Sequence, residues 1–299
     1  MDMRKSVIKV ETVFQIILFI FLTSIILVTL LPFWNIFVIS INNAQDTIRG
    51  GLYFWPRDLS FESYKTILMD KEILNGAKVT VLRTVIGTPL TLLMISMLAY
   101  ALSKRTLVGR KPITFMFIFT MFFGGGLIPY YMVLKSVHLI DTFWVYIIPN
   151  LMSVFYMILV RTFIEQLPKE LEECAKMEGA NDLQIFFKII LPLSKPILAT
   201  VGLFIAIGHW NSWFDSYVFT YKPDLKTLQA VLVKILNQYQ TAGMMSDQQQ
   251  LADSAKRMAV SPDSLRMAAT MVATIPIMIV YPFVQKHFAQ GIMVGSIKE

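Results

Sequence analysis

Long apolar stretches alternate with short charged ones along the whole chain. Thr12–Gln45, Thr84–Ser103, Pro112–Leu134, Thr142–Val160, Pro196–Phe214 and Met267–Gln285 contain no Asp, Glu, Lys or Arg, and each is at least 19 residues long. A helix needs about 20 apolar residues to cross a bilayer core, and a helix leaves no backbone polar group unpaired in lipid. The pattern predicts an all-α integral membrane protein of about six transmembrane helices, near 13–39, 76–102, 112–132, 142–164, Pro192 to Tyr217, and 267–285. "GGGLIPYY", Gly124–Tyr131, predicts an end or a kink in the third. No stretch reads as a separate soluble domain, so residues 13–290 form one membrane domain between tails 1–12 and 291–299. An inner loop near 165–191 and an outer loop near 222–266 interrupt it. The first apolar stretch is too long for a signal peptide and five more follow, so it is expected to remain as an anchor.

Charge orients this arrangement. With the N-terminus inside, the inner segments carry 14 Lys and Arg in 68 residues and the outer segments 13 in 97. The short loop "KRTLVGRK", Lys104–Lys111, has four basic residues and no acid, and short loops are where basic residues mark the cytoplasmic side best. Both termini are therefore expected inside. Lys78 and Arg83 fall in the outer segment 46–83 and are expected to snorkel to the headgroups. The net charge of +7 reads as such topology signals rather than as a nucleic-acid footprint. One cysteine, Cys174, excludes an internal disulfide framework, and three scattered histidines have no metal-ligand spacing.

The charged interval Glu172–Pro192, "EECAKMEGANDLQIFFKIILP", stands apart from its surroundings. Pro168 suits a first helical turn, and Glu170, Glu172 and Glu173 suit the positive end of the helix dipole. Gly179 turns the chain, and Asn181 or Asp182 caps a second helix. Leu171 with Ala175, and Leu183 with Phe187, are apolar pairs at a spacing of four. The product is a helix–turn–helix on the inner surface. From periodicity alone, two readings stay open: a stabilising interfacial helix, or a handle through which a partner moves the bundle.

"ECAKMEGANDLQIFFKIILPLSKP", Glu173–Pro196, closely resembles the signature of permease subunits of ATP-driven, binding-protein-dependent importers: Glu-Ala-Ala, three residues, Gly-Ala, then a Phe before Ile-x-Leu-Pro. Cys174 stands where the second-position Ala is usual, and Glu178 where Asp is common. "GGGLIPYYMVL", "DTFWVYIIPN", "HWNSWFD", "AYALSKRTLVGRK" and the tail "GIMVGSIKE" are similar to the second permease of carbohydrate uptake systems, maltose-type in the broad sense. The resemblance spans nearly the whole chain.

It implies a coupling-helix hairpin on the cytoplasmic side between the fourth and fifth spans, seated in a cleft of a separate ATPase dimer. Carried over by position, Glu173 makes a charged contact with the ATPase, Gly179 permits the turn, and Ala175 and Ala180 allow close approach. Phe187, Leu191 and Pro192 anchor the hairpin to the fifth span. A second permease, heteromeric in the sugar branch, and an extracellular or periplasmic solute-binding protein are implied partners. The implied location is a bacterial-type cytoplasmic membrane, crossed several times. The alternatives are an importer permease of the same type for a non-sugar solute, or an ion-coupled secondary transporter; the second would call for inverted repeats and a midplane ion site, and neither is found.

No GxxxxGK[ST] loop occurs in the sequence, so ATP and Mg are expected to be used by the partner, and the chain itself is expected to be non-catalytic and to bind no cofactor or metal. His209, Trp210, Asn211, Trp213 and Asp215 lie late in the fifth apolar stretch. Trp210, Asn211, Trp213 and Asp215 are candidates for the translocation path, through hydrogen bonds and ring stacking; the competing reading is a packed aromatic belt at the outer interface.

Overall fold

The computed structural model describes residues 2–51, 54–242 and 262–293. The middle of the expected outer loop, 243–261, and the tail from residue 294 lie outside the described residues. Among the described residues regular structure is helical, apart from one isolated bridge between Asn42 and Leu59. Two compact units are present: residues 1–70 with 235–274, and residues 71–234 with 275–299.

In the first unit, α1 (Asp2–Ser40) is a single helix of 39 residues. From residue 11 to residue 34 it buries nothing, as suits a helix whose apolar surface meets lipid or another chain. Two short helices follow, α2 (Ala44–Ile48) and α3 (Glu62–Met69). The turn between them is built on buried Asn42. Its amide oxygen accepts from the N–H groups of Arg57 and Asp58, at 2.9 and 3.1 Å, and its amide nitrogen donates to Asp46 and Thr47, at 3.0 and 3.1 Å.

The second unit is organised on α4 (Lys71–Ser103). It continues through α5 (Arg110–Phe122) and α6 (Leu127–Ser136), two 3₁₀ turns at Phe143–Tyr146 and Ile148–Asn150, and α7 (Val154–Ile164). Next come α8 (Glu170–Met177), α9 (Asp182–Ile185), a π turn at Phe186–Ile190 and α10 (Leu191–Leu193). The segment ends with α11 (Lys195–Asn211) and α12 (Phe214–Phe219). The helices α13 (Leu228–Ala242) and α14 (Pro262–Met293) complete the chain order. The main core joins Ile95, Ala99, Tyr100 and Leu102 of α4, Met157, Val160 and Ile164 of α7, and Val201 and Ile205 of α11.

The apolar stretches do not all become straight helices. Only Glu11–Ser40 and Lys71–Ser103 are single helices long and apolar enough to cross a membrane among the described residues. Three further candidates are bent pairs: α5 with α6 at 120°, the 3₁₀ turns with α7 at 47°, and α9–α10 with α11 at 79°. The end or kink expected in the third span at Gly124–Tyr131 falls at Gly124–Gly126, where α5 and α6 fold back on each other. The fifth does not reach Tyr217 in one piece: α11 stops at Asn211, and Ser212 and Trp213 are non-helical before α12. The sixth stretch lies within α14, which holds Pro276 and Pro282. Within the outer segment expected near 222–266, Leu228–Ala242 is helical, as α13.

Candidate functional site

The hairpin 165–195 is built by local rules. α8 opens with Glu170, Glu172 and Glu173 in its first turn, and Gly179 follows it at φ +85°. A Cβ at Gly179 would meet nothing within 4 Å, so the left-handed backbone, not space, selects glycine there. Asn181 caps α9 in a reciprocal capping box: its side chain accepts from the Gln184 N–H at 2.8 Å, and the Gln184 side chain accepts from the Asn181 N–H at 2.9 Å.

One side of the hairpin is bound into the bundle. Ala175, Ile185, Phe186 and Ile190 are buried in the same core as α4, α7 and α11, with Ala180 and Leu191 packed against it. The Phe186 ring lies 5.5 Å from that of Tyr100. Two residues of the short basic loop tie down the hairpin base: Lys104 pairs with Glu172, and Arg110 with Glu165 at 2.5 Å. Lys104 also sits 4.1 Å over the Tyr100 ring. The loop 104–111 and the hairpin therefore share one end of this unit.

The other side is free. Glu173 is exposed and makes no ion pair among the described residues, and Cys174 is exposed beside it. Met177 and Leu183 are 81% and 61% exposed. Phe187 is 48% exposed while Phe186 is 2% exposed; the aromatic packed against the bundle falls one residue before the position carried over from the resemblance. Pro192 is exposed in the first turn of α10.

A second polar site forms at the break between α11 and α12. Arg83, expected at the outer headgroups, is instead 1% exposed inside α4. It forms a two-pronged pair with Asp215: Nη2 to Oδ2 at 2.5 Å and Nη1 to Oδ1 at 3.2 Å. A charge at that depth is retained only with a partner, which is the physical reason the snorkelling expectation fails. Nη1 also donates to the Ser212 carbonyl at 3.4 Å, one of the groups freed by the helix break. The guanidinium lies 4.7 Å from the centre of the Tyr146 ring. Asp215 accepts in addition from the Ser212 hydroxyl at 3.0 Å and the Ser216 N–H at 2.8 Å.

The segment after the break is bonded back onto the unit. The Leu228 N–H donates to Thr80 at 2.9 Å, the Thr227 N–H to Ser216 at 3.1 Å, and the Tyr146 hydroxyl to the Leu225 carbonyl at 2.6 Å. Asp141 accepts from the N–H groups of Tyr221 and Lys222, at 2.9 and 3.0 Å. Those bonds, that of Lys222 foremost, hold its carboxyl below the ordinary range.

The Arg83–Asp215 pair lines a cavity of about 430 Å³, together with His209, Tyr130, Asn150, Ser153 and Tyr156. Of the four path candidates, only Asp215 reaches it. Trp210 lines a separate apolar cavity of about 220 Å³ with Val81, Val85 and Pro276. Asn211 is exposed, and Trp213 packs edge-on against Phe214 and Tyr217. Sequence reasoning missed Arg83; the available signal was one basic residue between Val81-Leu82 and Thr84-Val85. Among the described residues no group of three or more His, Cys, Asp or Glu is placed to hold a metal ion.

Residues 80–294 match the family described as binding-protein-dependent transport system inner membrane component. The chain is 36% identical over 285 residues to the polygalacturonan/rhamnogalacturonan transport system permease protein YtcP of Bacillus subtilis (strain 168), covering 95% of this chain and 98% of that protein. It is 35% identical over 291 residues to Protein LplC of the same organism, covering 97% and 96%. Among solved structures it is similar to a chain from a bacterial ABC transporter involved in the import of the acidic polysaccharide alginate, with a TM-score of 0.84, 33% identity, and 93% and 97% of the two chains covered.

Proposed function

The chain belongs to the binding-protein-dependent transport system inner membrane components and is a non-catalytic permease component of a carbohydrate-type ABC importer; on that premise we propose that its 172–192 segment couples the membrane bundle to a cytoplasmic ATPase, and that its cargo is an acidic oligosaccharide. The single observation that carries the coupling role is the division of the hairpin into two faces. Ala175, Ile185, Phe186 and Ile190 are locked into the core of the bundle, while Glu173, Met177, Leu183 and Phe187 remain exposed. Exposed apolar residues bordered by acids suit a protein partner, and a rigidly packed inner face turns a push on the outer face into movement of α4, α7 and α11. Coupling of this kind needs contacts that differ between two states of the bundle.

The acidic class of cargo rests on relatives: YtcP is described by polygalacturonan and rhamnogalacturonan, and the solved importer by alginate. In this reading the chain is the second of two unlike permeases, in the maltose-type branch. It crosses the cytoplasmic membrane about six times with both termini inside, and works with an ATPase dimer and a solute-binding protein.

Glu173→Ala and Gly179→Leu test the coupling role. Both are expected to leave membrane insertion intact and to abolish ATP-driven uptake, Glu173→Ala by removing the contact and Gly179→Leu by straining a left-handed turn at a cost of roughly 1–2 kcal/mol. Normal uptake by both variants contradicts the assignment.

A further inference from the structure

The two members of the Arg83–Asp215 pair are supported unequally. Asp215 keeps two donors from its own segment, Ser212 and the Ser216 N–H. Among the described residues Arg83 has, besides Asp215, only the Ser212 carbonyl at 3.4 Å and the face of Tyr146, and its Nε has no acceptor. A buried guanidinium deprived of its carboxylate is left with little support, whereas the Asp215 carboxylate, more exposed at 14% and still holding two hydrogen bonds, loses less. Exchange is therefore favoured in one direction. A second carboxylate entering the cavity takes Arg83, and Asp215 stays bonded to Ser212 and Ser216.

The remaining lining suits a sugar that carries such a carboxylate. Asn150, Ser153 and Tyr130 bring amide and hydroxyl groups to the cavity. Tyr156 and Phe204, with rings 13° from parallel and 6.4 Å apart, add a stacked aromatic pair to its lining. The volume of about 430 Å³ lies within the range of cavities that hold small ligands. We propose, on the reading of the chain as an acidic-oligosaccharide permease, that this cavity is a uronate subsite in which Arg83 exchanges Asp215 for the carboxylate of the cargo.

Arg83 is then a specificity-determining residue. A neutral sugar brings no anion to replace Asp215, so it cannot free Arg83 from the pair. Because Asp215 and the Ser212 carbonyl sit at the break between α11 and α12, the exchange also removes a tie between α4 and that break when cargo arrives.

The test uses the assembled complex of both permeases and the ATPase without its solute-binding protein, so that only the membrane site selects. Equilibrium binding of trigalacturonate is compared with binding of its carboxyl-reduced, neutral counterpart. The wild type is expected to prefer the acid by roughly tenfold or more, the scale of a charge-assisted contact. The neutral pair Arg83→Gln/Asp215→Asn keeps complementary hydrogen-bonding groups and is expected to bring the two sugars within about twofold of each other. Arg83→Lys, which keeps the charge without the two-pronged geometry, is expected to retain part of the preference. An unchanged preference in the neutral pair, or an equal loss of both sugars, overturns the proposal. ATP-driven uptake of trigalacturonate by the complete wild-type system is measured beside it. Absence of uptake overturns the functional reading and this inference together; uptake with a preference independent of Arg83 overturns the inference alone.

Discussion

Removing Asp215, then Arg83, then both, isolates what the buried pair contributes to folding. Asp215→Ala leaves a guanidinium that is 1% exposed with one long hydrogen bond and an aromatic face. Breaking a buried pair from the side whose loss strands the charge costs about 3–5 kcal/mol. Arg83→Met leaves Asp215, whose side chain is 14% exposed, on two hydrogen bonds. The loss there is closer to about 1–3 kcal/mol, for the charge-assisted bonds and the packing on Tyr146. In the double variant no charge is stranded, so its cost falls below the sum of the single costs by at least ~2 kcal/mol. The assay is reversible unfolding of the purified chain in mixed micelles, read by Trp fluorescence, with the four proteins arranged as a double-mutant cycle. Two results refute the reasoning: additivity within about 0.5 kcal/mol, which removes the pair as a coupled unit, and a larger loss from Arg83→Met than from Asp215→Ala, which reverses the asymmetry.

Three further outcomes follow from the geometry. In the same unfolding assay Phe186→Ala is expected to cost about 3–5 kcal/mol and Phe187→Ala about 1 kcal/mol or less; similar losses contradict the assignment of the anchor to Phe186. A Cβ at Gly87 would lie 2.7 Å from the His209 Nε2, so Gly87→Ala is expected to cost about 1–3 kcal/mol, with Gly87→Ala/His209→Ala more stable than the single variant. The carboxyl of Asp141 is held low in the folded chain by the N–H groups of Lys222 and Tyr221. Its contribution is complete above the ordinary carboxylate range, about pH 4, and is lost as pH falls through the lower folded value. Asp141→Asn is expected to flatten that acid limb of the thermal midpoint, by a small amount because the group is partly exposed, and an unaltered limb contradicts the role.

The apolar runs made the helical, membrane-type character legible, because chain length without charge is read directly against bilayer thickness. The breaks were only partly legible. Gly124–Gly126 signalled a change of direction, but the interruption at Ser212-Trp213 has no glycine or proline to mark it. It is stabilised by distant groups, Arg83 and Thr227, which bond to the freed Ser212 carbonyl. Arg83 was read as a loop residue because a charge beside an apolar run normally marks a membrane edge. Its partner lies 132 positions away, and no local pattern reports such a pair. The hairpin's turn and cap were legible from Gly179 and Asn181, since both are set within a few residues. Phe187, carried over by position from the resemblance, is half exposed, and the aromatic buried in the bundle core is its neighbour Phe186, which no spacing in the segment singled out.

The central claim is that the 172–192 hairpin lies on the cytoplasmic side and meets an ATPase there, and the chain carries its own probe for it. Cys174 is the single cysteine and is exposed on α8 next to Glu173. A membrane-impermeant maleimide is applied to intact cells, to inside-out vesicles stripped of ATPase, and to the same vesicles with the ATPase restored. The account predicts labelling only in the stripped inside-out vesicles, with protection when the ATPase is added back. Labelling of intact cells from outside, or undiminished labelling with the ATPase bound, contradicts it.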